Sequence, residues 1–234
     1  MAAAILTGMA LEARLARRGA LPVACATGDA AAAVAAHRLL EGGACGIVSF
    51  GIAGGLAPGL RPGSLILADA VVDEDGAVLE TCRPWRDRLR NAVPQARPGV
   101  VIGVRTPAAT VGDKARLRAL SGAAAVDLES LAVARACLAW GRPFAVLRAV
   151  ADPAWRALPA AALAGLDEGG RMAPGAVLAR LAADPRQIVA LGRLALDLGH
   201  ALAALRRAAR ALPADLLGGG PLGLDPAQRV RDMA

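Results

Sequence analysis

Hydrophobic residues in this chain fall into short continuous runs separated by stretches with a three-to-four-residue repeat, which predicts doubly buried strands alternating with helices. The first apolar run is 3–6, followed by Thr7-Gly8 and a helical segment with Leu11 and Leu15 among Glu12, Arg14, Arg17 and Arg18. Gly28-Asp29 introduces an alanine-rich helix over 30–41, with Val34, Leu39 and Leu40 as its core candidates and Gly42-Gly43 as its stop. The β-branched run 44–50 predicts a buried strand leading straight into a glycine turn, Gly51-Ile52-Ala53-Gly54-Gly55-Leu56-Ala57-Pro58. Further strands are predicted over 64–72, 100–104, 124–127 and 144–150, and helices near 113–120 and 128–140.

The final third changes character. From Pro185 onward Ile188, Leu191, Leu194, Leu198, Leu202 and Leu205 recur every three or four positions, which predicts a long helix with one apolar face packed on the sheet. Beyond Pro213 the run 216–224, with Gly218-Gly219-Gly220-Pro221, reads as a loose tail. The expected organisation is therefore one α/β domain over 1–212 and a C-terminal tail over 213–234.

Composition narrows this reading. Among 234 residues 56% are hydrophobic but only 2% aromatic, so the core is expected to be built from Ala, Val and Leu. The net charge is +7, and of 27 basic residues only Lys114 is a lysine. The arginines are scattered without interleaved aromatics, which argues for a solvated basic surface and against nucleic acid. The longest uncharged run, 42–60, holds seven glycines and Pro58 and makes a poor membrane helix. Cys25, Cys45, Cys82 and Cys137 are far apart and His37 and His200 are the only histidines, so buried free thiols are expected, with no metal and no disulfide scaffold. The N-terminus lacks the basic stretch and cleavage site of a secretory signal, which places the expected location in the cytoplasm.

Three segments carry candidate chemistry: Gly51-Ile52-Ala53-Gly54-Gly55-Leu56 followed by Pro62-Gly63-Ser64; Val126-Asp127-Leu128-Glu129-Ser130; and Arg148-Ala149-Val150-Ala151-Asp152. Glycine in the first suits positive φ and lets backbone amides approach a ligand. Taken singly, Asp152 reads as a turn residue before Pro153, and Glu129 as a first-turn helix charge.

Together the three segments resemble the superfamily of purine nucleoside phosphorylases and methylthioadenosine/S-adenosylhomocysteine nucleosidases. The resemblance implies a three-layer α/β/α fold with a central mixed, partly barrel-like sheet. It also implies cleavage of a purine N-glycosidic bond, with Asp152 delivering a proton toward N7 and Glu129 holding the ribose hydroxyls beside an oxocarbenium-like transition state. Gly8-Met9-Ala10-Leu11-Glu12 resembles the nucleosidase branch, which makes Glu12 the candidate base for water; phosphate stays as the alternative co-substrate, and Arg148 suits either route. Gly54, Val111 and Leu128 complete the expected substrate-binding set.

Ile52 and Leu128 replace more polar or more polarizable residues usual in the family, which points to a greasy 5′ substituent. The Thr-Gly-Met-x-x-Glu-Ala-Arg-Leu segment at 7–15 resembles the hopanoid-associated phosphorylases, which implies adenosylhopane as substrate and peripheral contact with anionic lipid, with a methylthioadenosine/S-adenosylhomocysteine nucleosidase as the alternative. The resemblance further implies a homo-oligomer. A noncatalytic nucleoside-binding module is the reading of another class, and the retained Glu12, Glu129 and Asp152 argue against it.

Overall fold

A computed structural model describes residues 2–17, 21–164, 174–212 and 231–232. The chain runs β1 (Ala4–Thr7), α1 (Ala10–Ala16), β2 (Val23–Cys25), α2 (Asp29–Glu41), β3 (Ile47–Gly55), β4 (Leu65–Val72), β5 (Ala77–Glu80), α3 (Arg83–Ala92) and β6 (Arg97–Gly103). It continues α4 (Val111–Ser121), β7 (Ala125–Asp127), α5 (Ser130–Ala139), β8 (Phe144–Asp152), α6 (Ala160–Ala164), α7 (Pro174–Ala183), α8 (Gln187–Ala211) and β9 (Arg231–Asp232). Most of the expected tail, 213–230, lies outside the described residues.

Five strands close on themselves, because β3 pairs with β7, β7 with β6, β6 with β4, β4 with β8, and β8 again with β3. This ring is the barrel-like part of the mixed sheet that the family resemblance implies. β3 belongs to two structures at once. Its first residues, Ile47 to Ser49, pair with β1 in an open parallel sheet, while Gly54 and Gly55 pair with β7 inside the ring.

The side-chain period of two then sorts residues between two cores. Val48 and Phe50 of β3, with Ala145, Leu147 and Ala149 of β8, pack with α3 and with Ala201, Ala204, Leu205 and Ala208 of α8. Ile47, Val146 and Val150 face the other way, against Ala32, Ala36 and Leu40 of α2 and the buried side of α5. Helices thus cover both faces of the sheet, the three-layer order expected from the sequence.

Several expectations are corrected. The run 51–55 is the second half of strand β3 and not a turn, and none of its glycines has positive φ. Val34 is solvent-exposed on α2, because Ala32 and Ala36 occupy the buried face. On α8 only the C-terminal half packs on the sheet through the expected stripe; Ile188 stands in solvent. Cys25 is exposed, whereas Cys82 and Cys137 are buried. Strand β2, the hairpin strand β5 and helix α3 carry no marked periodicity in the sequence and were not expected; α3 is mostly polar and buries only Trp85 and Leu89, four residues apart.

The tightest helix-to-barrel approach is at Gly103, the last residue of β6, where a Cβ would come within 2.4 Å of Leu131 Cβ on α5. Gly103→Ala is expected to lower the unfolding free energy by about 1–3 kcal/mol through overpacking, measured by urea denaturation with an unchanged m-value.

Candidate active site

One cavity opens where the C-terminal ends of β3, β7 and β8 meet the start of α1. Its lining includes Met9, Glu12, Thr27, Ile52, Gly54, Val104, Pro107, Ala108, Leu128, Glu129, Asp152 and Leu158. Of the residues expected from the sequence, Glu12, Gly54, Leu128, Glu129 and Asp152 line it. Arg148 and Val111 do not.

Glu12 is the third residue of α1, and its carboxylate turns back over the helix start. Oε2 accepts the N–H groups of Gly8 at 3.0 Å and Met9 at 2.8 Å, two donors that a helix N-terminus otherwise leaves unpaired. Oε1 accepts Ile52 N–H from β3 at 2.8 Å. Burial pushes the Glu12 carboxyl above its ordinary value, opposed by the Arg148 charge and by these backbone bonds. Ile52 therefore contributes through its backbone, and its apolar side chain faces the cavity beside Glu12.

The strand glycines exist for room. A Cβ on Gly51 would stand 2.5 Å from Arg148 Nη1 and 2.8 Å from both Glu12 carboxylate oxygens. A Cβ on Gly8 would meet Glu129 Oε1 at 2.8 Å, and one on Gly54 would lie 3.3 Å from Asp152 Oδ2. Only hydrogen side chains let three carboxylates and a guanidinium converge this closely on backbone.

Glu129 is set by the turn between β7 and α5. Asp127, closing β7, accepts the N–H of Glu129 at 3.2 Å and of Ser130 at 2.9 Å through Oδ1, which caps the helix start. Glu129 Oε1 in turn accepts Gly28 N–H at 3.0 Å, from the start of α2. Burial is the largest influence on Glu129 and pushes its carboxyl up to about 7; Arg148 opposes this, while Asp127 and Glu12 add to it.

Arg148 sits in β8 behind these acids and is fully buried. Its Nε donates to Asp127 Oδ2 at 2.5 Å, and its Nη2 donates to Ser49 Oγ at 2.7 Å and Ser130 Oγ at 3.0 Å, with Glu129 Oε2 3.7 Å away. It is the shared counter-charge of the acidic cluster rather than a group that reaches the cavity. Asp127, Ser49 and Ser130 were not singled out in the sequence. The signal for Asp127 was present, as an Asp three residues before Ser130 at a helix start.

Asp152 ends β8. The register against β3 shifts between Ala53 and Gly54, so that Gly54 comes to lie opposite Asp152. Such a bulge re-aims a strand's side chains, and here Asp152 lines the cavity. Its Oδ2 accepts from Lys114 Nζ on α4 at 2.5 Å. Burial pushes the Asp152 carboxyl up and Lys114 pulls it down, burial being the larger. Val111, one turn earlier on α4, points outward at 45% exposure. The apolar wall of the cavity comes instead from Val104, Pro107, Ala108 and Leu158.

The chain matches the family model described as the phosphorylase superfamily over residues 4–190. It is 36% identical over 154 residues to the futalosine hydrolase of Streptomyces coelicolor, covering 55% of this chain and 65% of that protein. It is 28% identical over 128 residues to the 5′-methylthioadenosine/S-adenosylhomocysteine nucleosidase of Geobacillus thermodenitrificans, covering 45% of this chain and 54% of that one. The matched region thus spans less than two thirds of each curated relative. In fold it is similar to the Helicobacter pylori 5′-methylthioadenosine/S-adenosylhomocysteine nucleosidase with 5′-methylthioadenosine in its active site: the TM-score is 0.64 at 17% identity, over 90% of this chain and 96% of that one. Because the family match takes in every segment that lines the cavity, ring and acids included, the chain belongs to the phosphorylase superfamily.

Proposed function

We propose that this protein hydrolyses the N-glycosidic bond of a purine nucleoside, with Glu12 activating water, Glu129 binding the ribose hydroxyls and Asp152 protonating the departing base. The observation that carries this reading is the sign of the cavity: Glu12, Asp127, Glu129 and Asp152 line it, and no lysine or arginine does among the described residues. A growing positive charge on the ribose ring is stabilised there, as in other glycoside cleavages. A phosphate dianion is not. The backbone donors that could hold phosphate at the starts of α1 and α2, Gly8, Met9 and Gly28, are already given to Glu12 and Glu129. Arg14, the residue nearest in sequence that could add positive charge, is exposed and outside the cavity.

Chemistry then follows from protonation state. Glu12 must be ionised to take a proton from water, and its raised carboxyl makes it a stronger base than a surface glutamate. Asp152 must carry a proton, which its burial favours. As the C–N bond lengthens, its electron pair moves to the purine, the base takes the Asp152 proton, and water adds to the ribose carbon while Glu12 accepts its hydrogen.

For the 5′ group we infer an apolar substituent. Ile52, Leu128, Met9 and Leu158 line part of the cavity with apolar side chains. Adenosylhopane is the lipid-linked form of this reading, supported by the exposed Leu178, Ile188, Val189 and Leu196 on α7 and α8. The start of α8 adjoins the segment carrying Leu158, since Gln187 Oε1 accepts Ala161 N–H at 2.8 Å.

Purified protein incubated with 5′-methylthioadenosine, S-adenosylhomocysteine, futalosine, inosine and adenosylhopane is expected to release free base and a reducing sugar without phosphate. Base release that requires phosphate would overturn hydrolysis, and none from any of these would sink the enzymatic reading. Glu12→Gln and Asp152→Asn are each expected to lower kcat by about 10²–10⁴-fold. Glu129 also links function to stability. Its native carboxyl at about 7 lies above its ordinary 4.5, so the folded state holds the proton more tightly and stability falls as pH rises from about 4.5 to 7. Glu129→Gln is expected to remove up to about 3 kcal/mol of that fall, seen as a higher melting temperature at pH 8 than the wild type's, with base release nearly abolished.

A further inference from the structure

Lys114, the chain's sole lysine, is 1% exposed and lies on α4 directly behind the cavity. Its ammonium has three hydrogens and three acceptors: Asp152 Oδ2 at 2.5 Å, Pro153 O at 2.9 Å and Arg156 O at 2.8 Å. Such a group is neither a surface charge nor a substrate ligand, because every donor is turned into the protein. It is held by α4, whose start is fixed by Thr110, with Oγ1 accepting Asp113 N–H at 3.0 Å and Asp113 Oδ2 accepting Thr110 N–H at 2.9 Å. The same segment after β8 is tied down again by Leu158 N–H, which donates to Ala109 O at 2.8 Å.

We propose that Lys114 is a positioning residue of the reaction: it commits Asp152 Oδ2 to an internal ion pair, leaves Oδ1 to face the base, and neutralises the carboxylate that remains after the proton is given away. The proposal rests on the hydrolytic reading of the site. In the step concerned, the O–H bond at Asp152 Oδ1 breaks, its proton goes to a purine nitrogen, and its electron pair stays on the carboxylate. In a buried site that new negative charge is costly unless a fixed cation is already beside it. Lys114 is that cation. A proton on Oδ2 is excluded by the ammonium hydrogen already directed at it, so the transferable proton resides on the oxygen facing the cavity. Arg156 also pulls the Asp152 carboxyl down, and is itself paired with Asp197 of α8, while Glu12 and Glu129 share the cavity with it.

Lys114 also joins the acid to the cavity wall. Through Pro153 O and Arg156 O it fixes the segment that ends in Leu158, so base contact and proton delivery are set by one side chain. An ammonium this close makes Asp152 a stronger acid, and its removal makes the carboxyl hold its proton to higher pH.

The test is the pH profile of kcat/KM for base release by full-length wild type, Lys114→Met and Lys114→Arg, each shown to be folded by circular dichroism and thermal melting. In Lys114→Met the basic limb is expected to move up by about one pH unit or more while kcat falls by about ten- to a hundredfold. Lys114→Arg keeps the charge and is expected to keep the limb near its wild-type position even where its rate is lower. If the methionine variant does not fold, Lys114→Gln supplies the same comparison. An unmoved limb in the charge-deleted variants, with the wild type active, overturns the role of Lys114 alone. Absence of base release by the wild type overturns the hydrolytic reading and this inference with it.

Discussion

A guanidinium with no access to water is the constraint around which this molecule is arranged. Arg148 is fully buried, and it can be so only because Asp127 meets its Nε, two serine hydroxyls take its Nη2, and Glu129 and Glu12 supply further negative charge. Among the described residues these acids have no other buried cation beside them. Each group's burial is tolerable because of the others, so the cluster is expected to behave as a unit in which single truncations cost more than the pairwise contacts suggest.

That cluster explains features of the fold that look incidental. Ser49 and Ser130 are small polar residues in an otherwise apolar layer of Ala, Val and Leu, and both are there as acceptors for the guanidinium. Gly51 has no side chain because Arg148 and Glu12 occupy the volume it would need, and Gly8 gives the same room to Glu129. The helix starts of α1, α2 and α5 aim their free N–H groups at Glu12, Glu129 and Asp127, so helix ends that could bind external anions bind internal ones. Hydrogen bonding and burial act in opposite directions on these carboxyls, and burial prevails for Glu12 and Glu129.

Much of this was legible in the sequence, for reasons specific to each residue. The alternation of β-branched runs with helical repeats located β1, β3, β4, β6, β7 and β8, because strands buried on both faces must be uniformly apolar. Glu12, Glu129 and Asp152 were visible because their surroundings in sequence match a family pattern. The density of glycines suggests positive φ, which holds at Gly63 but not at Gly51, Gly54 or Gly55, where the purpose is the absence of a Cβ, and sequence alone does not separate those two uses. Val111 and Lys114 lie three residues apart at the start of α4, and the difference between pointing out and pointing in is a rotation that no local periodicity in a half-polar helix reports. A single lysine among arginines reads as ordinary surface charge, which hides Lys114 in the sequence.

The dual membership of β3 has a consequence for how such a protein can diversify. Ile47 to Ser49 lie in the open sheet with β1, which leads into Glu12, while Gly54 and Gly55 lie in the closed ring with β7 and beside Asp152. The C-terminal half of β3 gathers both acids, Ile52 N–H holding Glu12 and Gly54 lying opposite Asp152. Segments 104–110 and 153–158 supply apolar cavity wall without touching the ionic lattice around Arg148. The Arg148 lattice is insulated from change there, whereas Asp152 stays coupled to 153–158 through Lys114.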